Sequence, residues 1–255
     1  MKVYTRTKQN STEYYNVNIF NAATGFKDLG AEIIPYRLVN EIYDKVEKED
    51  IVLDGIDQCN YIFDKFTKHP ELCDYPEVLR PFMGRKIWTD TIDHFNTHPE
   101  LWNCFVKPVS HKAFTGRIVR EPKDLIGCGN QDENFEILCT DVIDIKREWR
   151  VFVRYDAVID IRPYKGDWHF TYNPAIIDKA LEEFCTWHDR PMACSLDFAV
   201  AIIGGREQTV FLEQNDAYAL GSYGLYQSDY AKLITTRWAQ IMNVEDEYKT
   251  LKTWS

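Results

Sequence analysis

Nowhere in the 255 residues do eighteen apolar residues run together, so the sequence offers no helix of the ordinary membrane-spanning kind. The stretch from Met1 to Ser11 is polar and basic, without the apolar core of a secretory leader. Cysteine occurs seven times, at 59, 73, 104, 128, 139, 185 and 194, but never as a C-x-x-C pair and never with matching histidine spacing. Zinc and disulfide frameworks are therefore not expected, and the cysteines read as reduced, mostly buried small hydrophobes. The glycines spell neither G-x-G-x-x-G nor the Walker pattern, no G-x-S-x-G elbow occurs, and the six histidines form no local motif. Basic clusters are missing as well: forty acidic against thirty basic residues give a formal charge of -10, which disfavours a nucleic-acid partner. These absences predict a soluble, cytoplasmic protein that binds neither nucleic acid nor membrane, and they specify no oligomer.

What is present is enough apolar residue for real cores, 45% of the chain against 27% charged, with a somewhat rich aromatic supply. Val3 and Tyr4, then Tyr15, Val17 and Ile19, alternate loosely and predict a strand punctuated by Gly25 to Gly30. A short apolar run at Glu32 to Pro35 precedes a helix-like spacing of Leu38, Val39, Ile42 and Val46, and Ile51-Val52-Leu53 closes the unit as a strand. Strand, helix and strand within some fifty residues predict a parallel α/β unit with a right-handed crossover. Tyr61 to Phe66 reads as helical. His69-Pro70-Glu71-Leu72 recurs as His98-Pro99-Glu100-Leu101, which is better explained as two proline-led helix starts than as an internal repeat.

Near residue 100 the texture turns to short strands, at Phe105 to Lys107, Gly116 to Val119, Ile137 to Cys139, Trp149 to Arg154, Ala157 to Arg162, Met192 to Val200 and Thr209 to Leu212. Tyr155-Asp156 joins two of them as a hairpin, and helical periods occupy Pro174 to His188 and Tyr230 to Ile241. The prediction is a small α/β domain over 1–100 followed by an antiparallel-rich α+β domain over 101–255.

The chemistry concentrates on strand ends. In Val210-Phe211-Leu212-Glu213-Gln214-Asn215-Asp216, Glu213 and Asn215 lie two apart and share a face, so both can offer hard oxygen donors to one Mg²⁺. Asp197, alone among apolar neighbours in Ser195 to Val200, can join them if the two strands pair; on their own, all three fit solvated strand ends equally well. Lys107, before Pro108, fits either a snorkelling surface lysine or a point charge for phosphate. Lys112, in the polar stretch that follows it, is as well explained by a solvated loop. Glu148 and Arg150 share a strand face, as a cross-strand ion pair or as a cleft pair, and Arg162 adds a second guanidinium. The loop from Asp216 to Leu225 carries two glycines with Ser222 and Tyr223, and its backbone can approach an anion.

Taken in order, Phe105-Val106-Lys107-Pro108, Asp141-Val142-Ile143, Glu148-Trp149-Arg150-Val151, Asp197-Phe198 and Glu213-Gln214-Asn215 resemble the ATP-grasp superfamily, over roughly residues 100 to 230. In more detail the chain is similar to a small bacterial and phage-associated branch with prominent strand arginines. The resemblance implies an ATP-grasp fold preceded by a small α/β domain. It implies that Lys107 grips the nucleotide phosphates, Asp141, Val142 and Ile143 hold the adenine, Glu148 meets the ribose, and Asp197, Glu213 and Asn215 bind Mg²⁺. It further implies that Arg162 steadies the transferring phosphoryl group, because Ser195 stands where many such ligases carry an arginine two residues before the metal aspartate. Lys86 is only a loose counterpart of the family's earlier phosphate-contacting lysine. Arg150, Lys112, Ser222 and Tyr223 would contact substrate, with Ser110 to Gly129 and Asp216 to Leu225 as covers. The implied activity is ATP- and Mg²⁺-dependent ligation of a carboxylate to an amine through an acyl phosphate, on an amino acid or peptide. A kinase of the same fold and an inactive nucleotide-binding protein are the alternatives.

Overall fold

The computed structural model describes residues 1–109, 113–129 and 133–253. The chain opens with three parallel strands, β1 (Lys2–Arg6), β2 (Glu32–Tyr36) and β3 (Ile51–Leu53), in the order β2-β1-β3. β3 is buried throughout, as a strand covered on both faces must be.

The unit predicted from the sequence is therefore present, but its helix lies elsewhere. Tyr15, Val17 and Ile19 do not form a strand; they lead into α1 (Val17–Asp28), where Ile19, Ala22, Ala23 and Phe26 make the buried stripe of a helix. Asn16 starts it, its side-chain oxygen accepting from the Ile19 N–H at 3.0 Å. Conversely, the segment with Leu38, Val39, Ile42 and Val46 holds only a 3-10 turn at Val39–Glu41. Its carbonyls are drawn off the helical path, since Lys65 Nζ donates to those of Tyr43 and Val46 at 2.6 and 2.9 Å. α2 (Ile56–Phe63) starts five residues earlier than the apolar run from Tyr61 indicated. The two His-Pro-Glu-Leu copies differ: Pro99–Leu101 is a 3-10 turn, whereas 69–72 has no regular structure.

Two antiparallel four-stranded sheets follow. One has the order β4 (Ile87–Thr91), β7 (Glu136–Asp141), β5 (Cys104–Pro108), β6 (Arg117–Val119), with α3 (Ile92–Thr97) following β4. The other has the order β11 (Arg206–Asp216), β10 (Ala193–Ile203), β8 (Asp144–Arg154), β9 (Ala157–Gly166). Each strand expected beyond residue 100 is found in them, and Tyr155 takes the left-handed conformation that the tight β8–β9 hairpin needs. β4 carries no alternation to announce it, being a polar edge strand held by β7 alone.

The architecture is α+β, as expected. α4 (Pro174–Thr186) lies with Leu79 and Met83 in the core of the second sheet. α5 (Gln227–Met242) is buried on nearly all sides, because it packs both on α1 and against the second sheet. Its buried charges are paired, Lys232 with Asp229 at 2.9 Å and Arg237 with Asp216 at 2.7 Å. One core thus runs from the parallel strands through α1 and α5 to Phe152 and Ile159. Among the described residues every cysteine is free, and no helix is long and apolar enough to cross a membrane.

α1 and α5 meet at Gly25, where a Cβ would stand 1.9 Å from the carbonyl oxygen of Gln227. Gly25→Ala must push two helices apart, and we expect it to lower unfolding stability by about 1–3 kcal/mol, the usual cost of overpacking. Chemical denaturation measures this; an unchanged midpoint would show that the helices do not meet here.

Candidate functional site

The two four-stranded sheets are joined where β7 passes into β8 through Val142 and Ile143, and between them lies a cleft of about 280 Å³. Its apolar walls come from Phe105 on β5, Ile118 on β6 and Leu212 on β11. Asp141, Val142 and Ile143 line it together, so the three residues expected to act as a hinge stand where the sheets connect. Asp141 is pinned to the backbone of Lys86, accepting from its N–H at 2.9 Å and donating its own N–H to its carbonyl at 3.1 Å. The Lys86 ammonium lies over the Trp88 ring, 5.1 Å from its centre. Glu148 also lines the cleft, its carboxylate taking the Tyr164 hydroxyl at 2.9 Å and the Lys165 ammonium at 2.7 Å. Burial first, and then the Asp197 and Glu148 carboxylates, push the Tyr164 phenol upward, so it stays a hydrogen-bond donor.

At one end of the cleft Lys107 reaches across from β5. Its Nζ is 2.6 Å from Asp74 and 3.3 Å from Glu213, and 4.7 Å from the centre of the Tyr75 ring. Burial alone would lower the lysine, but Tyr75, Asp74 and Glu213 more than reverse this and raise its pKa, keeping it a cation. Asp74 and Tyr75 were not foreseen, because they lie in a segment without regular structure. What brings them in is the open edge of β11: the Gln214 N–H donates to the Asp74 carbonyl at 2.8 Å, and Arg85 donates to the carbonyls of Phe211 and Leu212 at 2.8 and 2.9 Å.

Across the second sheet, register aligns four of the predicted residues in one row. Arg162 on β9 faces Arg150 on β8, Arg150 faces Asp197 on β10, and Asp197 faces Glu213 on β11. Asn215 is two residues beyond Glu213 on the same face, its amide nitrogen 3.4 Å from Asp197 Oδ2. Arg150 is not free for a substrate, as the sequence had implied. Its Nε and Nη2 grip both oxygens of Asp197 at 2.9 and 2.7 Å, and Nη1 donates to the Gly221 carbonyl at 3.3 Å. Burial raises the Asp197 carboxyl, and Arg150 opposes the rise. Arg162 folds back on Asp160 at 2.6 Å and is part-exposed.

Among the described residues no three of His, Cys, Asp and Glu gather closely enough to hold a metal. The oxygen donors that meet at this corner are the mixed set Asp197, Glu213 and Asn215. That set suits Mg²⁺: its donors are all oxygen once the amide is turned, and each carboxylate has lone pairs beyond those taken by Arg150 and Lys107.

The loop after β11 joins this corner to the N-terminal unit. Arg237 fixes Asp216 by both carboxylate oxygens, and the Tyr218 hydroxyl donates to Asn60 at 3.0 Å. Ser222, expected to meet substrate, is buried instead; its hydroxyl and N–H both donate to Asn18 Oδ1, at 3.2 and 3.1 Å, and Asn21 donates to the hydroxyl at 3.0 Å. It binds the loop to α1. Tyr223 is half-exposed, with its ring 4.4 Å from the Arg150 guanidinium and 4.9 Å from the Tyr164 ring. Lys112, and the start of the expected cover at Ser110, lie outside the described residues.

Over residues 82–233, well over half of its length, the chain matches the family described as ATP-grasp domain, R2K clade family 2. Among solved structures it is similar to D-alanine–D-alanine ligase from Bacillus anthracis complexed with ATP, at 12% identity and a TM-score of 0.53, over 95% of this chain and 98% of that one. It is similar to the RimK domain ATP-grasp protein from Sphaerobacter thermophilus, at 11% identity and a TM-score of 0.54, over 95% and 98%. It is also similar to N5-carboxyaminoimidazole ribonucleotide synthetase from Thermotoga maritima, at 13% identity and a TM-score of 0.53, over 96% and 77%. No curated protein sequence matches it. At these identities the structures establish the ATP-grasp fold.

Because Asp197 and Arg150 are both buried, removing one strands the other. Arg150→Met should cost about 3–5 kcal/mol of stability, and Arg150→Met combined with Asp197→Leu should recover most of it. Equal losses in the single and double variants, measured by urea unfolding, would show that the pair does not carry this energy.

Proposed function

The chain belongs to the R2K clade of ATP-grasp domains, and from that premise we propose that it is an ATP- and Mg²⁺-dependent ligase joining a carboxylate to an amine through an acyl phosphate, on an amino acid or peptide. The observation that carries this reading is the row Arg162, Arg150, Asp197 and Glu213 on one sheet, with Lys107 of the other sheet meeting its end. Two guanidiniums stand beside two carboxylates, with the lysine at the carboxylate end, and a polyphosphate needs both direct positive charge and metal-bridged contacts.

In this reading the adenine lies in the cleft between Phe105, Ile118 and Leu212 against the Asp141–Ile143 wall, and the ribose hydroxyls meet Glu148. Lys107 turns from Asp74 and Glu213 to the phosphate oxygens. Asp197, Glu213 and Asn215 would hold Mg²⁺, which would supply positive charge to offset that of the phosphates. Arg162 leaves Asp160 for the oxygens of the moving phosphoryl group. A substrate carboxylate oxygen attacks the terminal phosphorus and the bond to ADP breaks. The amine then attacks the acyl carbon, forming the C–N bond and releasing phosphate and a proton. Arg150 positions Asp197 and, through Gly221, the loop that shields the acyl phosphate from water.

Glu213→Ala removes a proposed metal ligand and one of the two carboxylate partners of Lys107 but no core contact. ATP turnover should fall by about 10²–10³-fold with the melting temperature unchanged. Full activity in the variant would sink the metal assignment. A phosphate-release screen over acids and amines tests the reaction itself: release that requires both substrates supports the ligase, whereas ADP with a phosphorylated product and no free phosphate replaces it with a kinase.

A further inference from the structure

The N-terminal unit ends its three parallel strands in one polar cluster that the nucleotide reading leaves unused. Arg6 is the last residue of β1, Tyr36 the last of β2, and Asp54 follows β3 directly. The crevice outside the carboxyl ends of parallel strands is where open α/β sheets place their ligands. Here Asp54 is almost wholly buried and fully engaged: it accepts from Arg6 Nη1 at 2.8 Å, from the Tyr36 hydroxyl at 2.7 Å and from the Gly55 N–H at 2.7 Å. It is a support, with little left to offer a ligand.

Arg6 is different. Asp54 holds one edge of its guanidinium, and the plane lies over the Tyr15 ring at 4.0 Å. The side chain is about a quarter exposed, and its Nε and Nη2 have no partner among the described residues. A guanidinium fixed at one edge, stacked on one face and open at the other edge is oriented for bidentate capture of an oxyanion.

Beside the cluster, and with Arg6 itself outside it, a cavity of about 100 Å³ is lined by Asp54, Asn16 and Asn18 together with Tyr218, Ala219 and Leu220. The next residue, Gly221, accepts the hydrogen bond from Arg150, which grips Asp197. Resting on the ligase reading above, we propose that Arg6 binds the free carboxylate of an amino acid or peptide substrate, anchoring the end of the substrate that does not react.

The test uses the full chain without nucleotide and follows the arginine Nε–H signals by NMR. L-Alanyl-L-alanine, its C-terminal amide and inorganic phosphate serve as probes at millimolar concentration. The free dipeptide should shift the Arg6 signal and the backbone signals of Tyr15 and Asn16, with the amide at least fivefold weaker. Arg6→Gln should abolish the response at Tyr15 and Asn16. Should that variant unfold because Asp54 loses its cation, Arg6→Lys keeps the charge without the fork and should weaken the response severalfold. Equal responses to dipeptide and amide, a response to phosphate alone, or a response unchanged in the variants would each overturn the assignment. Since no ATP is present, failure here leaves the nucleotide and metal assignments standing, and failure of the phosphate-release screen leaves a carboxylate site at Arg6 standing.

Discussion

The buried pair of Arg150 and Asp197 is the interaction on which the rest of the site depends. Asp197 sits near the middle of a sheet, on a strand flanked by β8 and β11, with almost none of its side chain in contact with water. A carboxylate there is tolerable only with a matched cation, and Arg150, directly opposite on β8, supplies two parallel hydrogen bonds. The pair adds little net stability over an apolar packing of the same volume. What it does is keep an acidic oxygen donor at a fixed place in the sheet, beside Glu213 and Asn215. The third arm of Arg150, on Gly221, transmits that fixed position to the loop after β11.

A second constraint comes from α5. A helix buried on nearly every side cannot belong to one layer alone, and α5 serves both the parallel sheet and the second antiparallel sheet. The N-terminal unit is consequently part of the same packed body as Asp197 and Glu213. Ser222 bonded to Asn18 and Asn21 strengthens the junction.

The fold was legible wherever alternation and turn residues agreed. β5 to β11 announce themselves through β-branched and aromatic runs between Gly, Pro, Asp and Asn, and α4 and α5 through helical period. α1 escaped because Ala22, Ala23 and Gly25 take up much of its buried face between Ile19 and Phe26, and the value of Gly25 lies in letting α5 approach, a fact no local window contains. The helix expected around Ile42 failed because Lys65, some twenty residues away, takes its carbonyls. In the site, strand period alone put Glu213 and Asn215 on a common face, whereas register, which local pattern does not reveal, decided that Asp197 would face Glu213 and that Arg150 would face Asp197. Asp74, Tyr75 and Arg85 were hidden because Asp74 and Arg85 are recruited by backbone groups on a strand edge, and such groups carry no sequence signature.

The segment covering the edge of β11 also ties the two antiparallel sheets together. The sheet of β4 to β7 is joined to the other covalently at Val142 and Ile143, and again through the segment ahead of β4, where Asp74 and Arg85 hold Gln214, Phe211 and Leu212. The two attachments stand to the sheets as two pins stand to a door, and Lys107, bonded to Glu213 across the gap, is a bolt thrown between them.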